Sequence, residues 1–200
     1  MLSTNIARPV ILASASPRRK NLLQQIGLAC TVIPAHLDES PFTKQYSDPK
    51  TLAMTLAKEK AHSISKQQKN AYIIGADTVV YIDGTLLGKP ESKSEARSML
   101  QQLSGASHHV VTGVAIVSVP ERTFDVFSES TEVHFRSLTQ RKIKAYIHTG
   151  EPMDKAGAYG IQGAGAVLVD YIHGDYFNVV GFPLSLFYSR FRQVIDPSPR

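Results

Sequence analysis

The sequence predicts an α/β fold in which helices flank an elongated, mixed β-sheet. Two patterns support this prediction: short apolar runs alternate with helical segments early in the chain, and long β-rich runs follow one another directly later on. Alternation favours parallel strand pairing, whereas consecutive strands favour hairpins, so a sheet built from both is mixed. Hydrophobic residues make up 42% of the 200 residues, and no linker divides the chain. We therefore expect one domain over residues 1–200.

The first half of the chain begins with a buried strand and a clearly marked helix start. Val10–Ala13 is an apolar run, and Ser16 followed by Pro17 supplies an N-cap residue and a proline at the first helical position. The other elements predicted in this half are a strand over 30–34, a helix over 49–64 and a strand over 71–82.

Long strands and a glycine-rich loop are predicted for the second half. Asp83 and Gly84 form the strongest hairpin signal in the chain. Five of the 13 glycines lie from Gly150 to Gly165, so this loop must bend sharply or let another group approach its backbone. The further elements predicted here are helices over 95–103, 139–148 and 183–195, and strands over 110–119, 124–135 and 166–169.

Composition excludes several classes of protein. Cys30 is the only cysteine, so an intramolecular disulfide and a multi-thiolate zinc site are both excluded and a cytoplasmic location is expected. The opening residues lack the apolar core of a secretory signal, and the most apolar stretch, Val110–Val119, is too short to span a bilayer. We expect no membrane partner. The net charge of +5 favours anionic partners, although it also serves solubility.

The sharpest local signal is a cationic helix start. Arg18, Arg19 and Lys20 fall in the first turn, where free backbone N–H groups make further positive charge unfavourable. A bound anion explains the cluster, held by those N–H groups, by the Ser14 and Ser16 hydroxyls and by the guanidinium groups. The alternative is a solvated basic turn. The position directly after a strand, where ligand sites of α/β proteins form, favours the anion site.

Two charged residues interrupt otherwise apolar patterns. Lys60 lies within the apolar stripe of the second helix, where its ammonium group must either reach solvent or meet an anion. Asp77 lies within a strand, although Asp is a poor strand former. It either caps a loop or acts as a carboxylate that holds a metal or accepts a proton from water. A two-residue hairpin turn would place Thr78 opposite Lys89, with Asp77 beside that corner.

Seven motifs, spread over nearly the whole chain, occur in a recognisable order. They are ILASASPRR (11–19), DE (38–39), KEKA (58–61), GADTVV (75–80), LGKP (87–90), MDKAGAYGIQG (153–163) and NVVG (178–181). The sequence thereby closely resembles the Maf family of nucleoside triphosphate pyrophosphatases. The resemblance implies an ITPase-like fold with two lobes and a central cleft. It also implies hydrolysis of a nucleoside triphosphate to the monophosphate and diphosphate, which serves to sanitise nucleotide pools, with Mg²⁺ or Mn²⁺ as cofactor, and it is compatible with a homodimer.

The same resemblance assigns roles to individual residues. Asp77 matches the proton acceptor of the family, and the other matching catalytic positions are Glu39, Lys60 and Lys89. Glu39 and Asp77 offer hard oxygen ligands for the divalent cation. The residues matching the phosphate-side motif are Ser14, Arg18 and Arg19, and those matching positions for base choice are Arg18, Thr78 and Gln162.

The sequence around Gln162 resembles that of the family branch that acts on dTTP and UTP. Its sister branch, which acts on 7-methyl-GTP, has Glu in this region, and that substrate is one alternative. A second alternative is a nucleic-acid-binding module, but the chain has no tryptophan and its cations cluster at separated motifs, so no stable nucleic-acid partner is expected. A third is a non-catalytic regulator of septum formation that acts through partners.

Overall fold

The computed structural model describes residues 6–196 and contains a seven-stranded mixed sheet, which confirms the predicted fold class. The strand order is β2-β1-β3-β5-β6-β7, and β4 also pairs with β3. The strands are β1 (Val10–Leu12), β2 (Thr31–Val32), β3 (Ala71–Ile82), β4 (Thr85–Leu87), β5 (Ser107–Val119), β6 (Thr123–Phe135) and β7 (Val169–His173). The helices are α1 (Pro17–Gln25), α2 (Ser40–Gln45), α3 (Pro49–Ser65), α4 (Lys93–Leu103), α5 (Gln140–His148), α6 (Tyr176–Val180) and α7 (Leu184–Ile195).

Parallel and antiparallel pairing divide as the sequence pattern predicts. The early strands β1 and β2 pair in parallel, as do β1 and β3, whereas β3, β5, β6 and β7 form antiparallel pairs. Asp83 and Gly84 both have positive φ, as a two-residue hairpin turn requires, and Ile82 pairs with Thr85. Within residues 6–196, no helix has the length and hydropathy needed to cross a membrane.

Two local predictions are wrong, and two short helices were missed. The pairing of β3 with β4 ends at Val80 and Leu87, so Thr78 and Lys89 are not strand partners. Residues 166–168 are not a strand but the end of a 3₁₀ segment, Gly163–Leu168, and β7 begins only at Val169. The short helices α2 and α6 were not predicted, because five or six residues carry too little periodicity to be recognised.

Two hydrophobic cores lie on one face of the sheet. The first joins β1, β3 and β5 to α1 and α7, and the second joins β3, β5 and β6 to α4 and α5. Along β3, Ala76 belongs to the first core, Val80 to the second, and Thr78 lies between them on the same face. Thr112, which pairs with Thr78, occupies the same position on β5. The two cores are the predicted lobes, and these threonines mark the boundary between them.

A third core lies on the opposite face, beneath α3. It includes Ala57, Ala61 and Ile64 from the helix and Ile73 and Ala115 from the sheet. The helix therefore runs across the centre of the sheet, behind the boundary between the two lobes.

Candidate active site

The cleft opens where the sheet forks along one edge of β3. The opposite edge is covered by β5 from Ala71 to Tyr81. At the forked edge, β1 pairs with β3 up to Ile74 and β4 pairs with it from Val80 onward. The stretch 75–79 between them therefore has no strand neighbour at this edge, and its backbone and side chains are available to other groups.

A cavity of about 420 Å³ lies at this fork. Its volume falls within the range of roughly 300–1,000 Å³ that is usual for small-molecule sites. All nine residues to which the resemblance assigns a role line it: Ser14, Arg18, Arg19, Glu39, Lys60, Asp77, Thr78, Lys89 and Gln162. These side chains, spread over most of the chain, therefore share one cleft. Their individual roles stay predictions.

Lys60 connects two of the predicted carboxylates. Its Nζ lies 2.5 Å from Oδ1 of Asp77 and 2.7 Å from Oε1 of Glu39, and its side chain is largely buried. Of the two outcomes considered for this lysine, escape to solvent or contact with an anion, the structure therefore has the second. The resulting cluster holds two carboxylates around one ammonium group at the floor of the cleft.

Two glycines allow α3 to approach the sheet closely enough for this contact. A Cβ atom on Gly75 would lie 2.1 Å from the carbonyl oxygen of Ala57, and one on Gly113 would lie 2.3 Å from the backbone of Ala53. Gly75 is two residues before Asp77, and Gly113 pairs with Asp77 across the sheet, so both lie on the face that carries this carboxylate. The small residues thus bring the helix and its lysine onto Asp77.

Asp77 is an unusual carboxylate because it is only 7% exposed. Burial raises its pKa, since a charged carboxylate is poorly solvated there, and the nearby Glu39 acts in the same direction. The positive charges of Lys60 and Arg19 act in the opposite direction. A carboxylate with a raised pKa in a cleft has the properties expected of a group that accepts a proton.

Arg19 is used mainly inside the protein. Its guanidinium group donates to the carbonyl oxygens of Gly181 (2.9 Å) and Ala76 (2.9 Å) and to the hydroxyls of Ser14 (3.0 Å) and Thr78 (3.0 Å). These bonds engage four of its five N–H donors. Arg19 therefore fixes the positions of Ser14 and Thr78, a role that the sequence did not reveal.

Arg18 faces Asp154 across the cleft. Its guanidinium group lies 3.7 Å from Oδ2 of Asp154, and both side chains are accessible to solvent. Lys89 and Gln162 are also exposed and line the same cavity, Lys89 directly after β4 and Gln162 in the glycine-rich loop. Arg18, Lys89 and Gln162 are thus available to a ligand.

Two charged residues that line the cavity were not predicted from the sequence. Asp154 and Lys155 line the cavity, and Nζ of Lys155 donates to Asp154 (2.6 Å) and to the carbonyl oxygen of Glu151 (2.8 Å). Both residues lie in the MDKAGAYGIQG motif, where only Gln162 received a role. The signal was a charged pair directly before a glycine-rich loop.

The donor set fits a divalent cation only if the substrate completes the coordination. Among residues 6–196, no group of three or more His, Cys, Asp or Glu side chains could hold a metal ion. Glu39 and Asp77 nevertheless converge on a single cationic group, the ammonium of Lys60. Mg²⁺ usually binds through one or two carboxylates together with substrate phosphates and water, and this pair satisfies that requirement.

The chain is similar in sequence and in fold to known proteins. The family model described as Maf-like protein matches residues 9–194. A dTTP/UTP pyrophosphatase from Halalkalibacterium halodurans is 49% identical over 178 residues, which cover 89% of this chain and 92% of that protein. A dTTP/UTP pyrophosphatase from Moorella thermoacetica is 50% identical over 175 residues, covering 88% and 89% respectively. A solved structure of a HAM1 protein from Coxiella burnetii is 15% identical, covers 93% of this chain and 99% of its own, and has a TM-score of 0.50, a likeness of fold.

Proposed function

The chain belongs to the Maf-like protein family, and we propose that it is a nucleoside triphosphate pyrophosphatase that hydrolyses dTTP and UTP to the monophosphate and diphosphate. The observation that carries this proposal is the buried Asp77 carboxylate, bonded to Lys60 at the floor of a cleft whose rim carries Arg18, Lys89 and Gln162. A proton acceptor, cations and an amide in one cavity are the groups that a nucleotide hydrolase needs.

Binding of the triphosphate would rely on cations on both sides of the cavity. Arg18, at the start of α1, and Lys89, after β4, approach the cavity from opposite sides of the fork. The free N–H groups at the start of α1 add partial positive charge on the side of Arg18. Phosphate oxygens bound between them would replace the weak, solvent-accessible contact between Arg18 and Asp154.

In the proposed chemistry, Asp77 acts as general base. It accepts a proton from a water molecule whose oxygen forms a bond to the α-phosphorus of the substrate, while the bond from that phosphorus to the bridging oxygen of the leaving group breaks. Diphosphate leaves with the electron pair of that bond, and Lys89 and Arg18 stabilise its developing charge. Lys60 favours the ionised form of Asp77, because its positive charge lowers the pKa that burial raises.

We assign Glu39 and Asp77 as the residues that would hold Mg²⁺ or Mn²⁺. When bound, the cation supplies additional neutralisation of phosphate charge. The two carboxylates, which both contact Lys60, would then bind it from the protein side.

Gln162 would read the base. Uracil and thymine present one acceptor and one donor, O4 and N3–H, and an amide side chain can donate to the first and accept from the second. A Glu at this place, as in the 7-methyl-GTP branch, would have no donor for O4 when ionised. The amide therefore fits the edge of uracil or thymine, the bases of the proposed substrates in the nucleotide pool of the cytoplasm.

A panel of nucleoside triphosphates assayed with Mg²⁺ for diphosphate release tests the proposal. Diphosphate should be the first product, with dTTP and UTP the preferred substrates, and Asp77→Asn should lose about 10³-fold in turnover. The matched control is Asp83→Asn, which changes an exposed carboxyl in the hairpin turn and should leave activity unchanged. Orthophosphate as first product, or a preference for 7-methyl-GTP, would contradict the proposal.

A further inference from the structure

The glycine-rich loop that carries Gln162 is fixed on both sides by two side chains outside the cavity. Before Gln162, the N–H of Gly160 donates to the Tyr146 hydroxyl at 3.2 Å. After it, the N–H groups of Ala164 and Gly165 donate to the two carboxylate oxygens of Glu151 at 2.9 and 3.2 Å. These three bonds enclose the five-residue stretch in whose middle Gln162 stands.

Tyr146 and Glu151 form one unit, which we call the clasp. The Tyr146 hydroxyl donates to Oε1 of Glu151 at 2.9 Å, so each side chain restricts the other. Burial raises the pKa of Tyr146, and its hydroxyl therefore stays protonated and can act both as donor and as acceptor. Tyr146 lies in α5 and Glu151 begins the 3₁₀ turn that follows, so the clasp ties the loop to the lobe behind it.

Glycines make the clasp possible. A Cβ on Gly163 would lie 2.8 Å from Oε2 of Glu151, and Gly163 also has a φ of +67°. A Cβ on Gly165 would lie 2.1 Å from the carbonyl oxygen of Gly160 and 2.8 Å from the Tyr146 hydroxyl. The sequence predicts that some group approaches the backbone of this loop. At these positions the group is the protein's own clasp, which leaves Gln162 to face the cavity.

We propose that Glu151 and Tyr146 are positioning residues that set how far Gln162 stands from the phosphate-binding end of the cleft, and thereby determine selectivity for pyrimidines over guanine. This inference rests on the proposed function. Neither residue lines the cavity, so both would act through the loop.

The need for such positioning follows from the chemistry of the bases. Guanine presents an acceptor and a donor, O6 and N1–H, in the same pattern as O4 and N3–H of uracil, so an amide alone does not distinguish them. The hydrogen-bonding edges of guanine and uracil differ in their distance from the sugar, because the fused ring of a purine places its edge farther away. A loop held at a fixed position accepts the nearer edge only. A loosened loop would admit both.

The test compares kcat/KM for UTP and GTP in the full-length protein carrying Glu151→Gln or Tyr146→Phe. Gln keeps the length of Glu but presents an amide NH₂ to one of the two backbone donors, and Phe removes only the hydroxyl. The matched control is Glu121→Gln, a remote exposed carboxylate paired with Arg8. We expect the preference for UTP over GTP to fall about tenfold in both variants, which corresponds to about 1.4 kcal/mol, with kcat for UTP within about twofold of wild type.

A second comparison separates positioning from general stabilisation. If Glu151 acts through Gln162, then Glu151→Gln should change the UTP/GTP preference little in a chain that already carries Gln162→Ala, because the two effects are not independent. Equal losses for UTP and GTP, an unchanged preference in Tyr146→Phe, or additive effects in the double variant would overturn the inference. Should Glu151→Gln fold poorly, Tyr146→Phe gives the same comparison.

Failure of this inference is distinguishable from failure of the proposed function. A wild-type protein that releases no diphosphate from UTP would overturn both. A wild-type protein that prefers UTP, and loses that preference through Gln162→Ala but not through either clasp variant, would overturn the positioning role alone.

Discussion

Two opposing effects act on the charge of the Asp77 carboxylate, and their combination is unfavourable for stability and useful for chemistry. A carboxylate that is 7% exposed loses most of its hydration, yet Lys60 at 2.5 Å and the nearby Arg19 favour its charged form. The sequence identified both Asp77 and Lys60 as residues out of place in apolar elements. It could not pair them, because their contact depends on how α3 crosses the sheet.

The role of Asp77 as proton acceptor can be tested by one conservative substitution. Asp77→Asn keeps the shape and the capacity to accept a hydrogen bond from Lys60 but cannot take a proton, so we expect turnover to fall by about 10³-fold. Nucleotide affinity should change little, since the cations remain in place. Rapid-quench single-turnover measurements and equilibrium binding of UTP check this. Weakened binding with a normal single-turnover rate would reject the base role.

The same substitution has a predicted effect on stability. The raised pKa of Asp77 means that the native state binds this proton more tightly than the unfolded chain does, so this contribution to stability is complete below the ordinary pKa of 3.8 and is lost as pH rises through the raised value. Asp77→Asn should therefore be more stable than wild type near neutral pH, and the difference should shrink in acid. Urea unfolding at several pH values measures it, and a constant difference across pH would contradict the burial argument.

Lys60 gives a prediction about pH dependence. The rate should rise with pH as Asp77 loses its proton, and Lys60 lowers the pKa at which this happens. Replacing Lys60 by Gln should therefore move the acidic limb of log kcat/KM to higher pH, whatever its effect on the plateau. Lys58→Gln, on an exposed position of the same helix, is the control and should leave the limb unmoved. If the acidic limb of Lys60→Gln stayed at the pH of the wild-type limb, a group other than Asp77 would be responsible for it.

At the scale of elements, the close packing of α3 on the sheet decides the site. Gly75 and Gly113 give the helix its approach, and Lys60 reaches Asp77 only because the helix lies so near. A glycine inside a strand ordinarily weakens the strand. The two glycines are explained here by the backbone of α3, which passes within contact distance of both.

Gly75→Ala tests this packing. The added methyl group would lie 2.1 Å from a backbone oxygen that has no rotamer to change, so we expect a loss of about 3 kcal/mol in the free energy of unfolding. Gly88→Ala is the matched control, because a Cβ there meets nothing within 4 Å. Denaturant unfolding of both variants measures the difference, and equal stabilities would show that the approach of α3 is not tight.

Element prediction from the sequence succeeded where local signals were strong. The strand Ala71–Ile82 and the turn after it have the predicted bounds, because apolar composition and the Asp83–Gly84 pair act locally. The prediction failed at 166–168, where an apolar stretch is held in a 3₁₀ segment. The start of that segment is bound by the Glu151 carboxylate, which accepts from the N–H groups of Ala164 and Gly165, a tertiary contact that no local pattern contains.

The cleft exists because the sheet forks and the two cores separate at the same place. The apolar face of β3 is interrupted at Thr78 and that of β5 at Thr112, whose hydroxyls lie 2.9 Å apart. The resemblance implied two lobes and a cleft, and the motifs named the residues. The register that aligns the two threonines, and the fork that exposes 75–79, are not readable from one sequence, because both depend on pairing between distant strands.

In the proposed reaction, this cleft directs water to the α-phosphorus of a bound pyrimidine nucleoside triphosphate. The most direct measurement is hydrolysis of UTP in water enriched in heavy oxygen, followed by mass spectrometry of the products. We predict that the label appears in the monophosphate and that the diphosphate is unlabelled. Label in the diphosphate, or in released orthophosphate, would place the attack at another phosphorus and contradict the account.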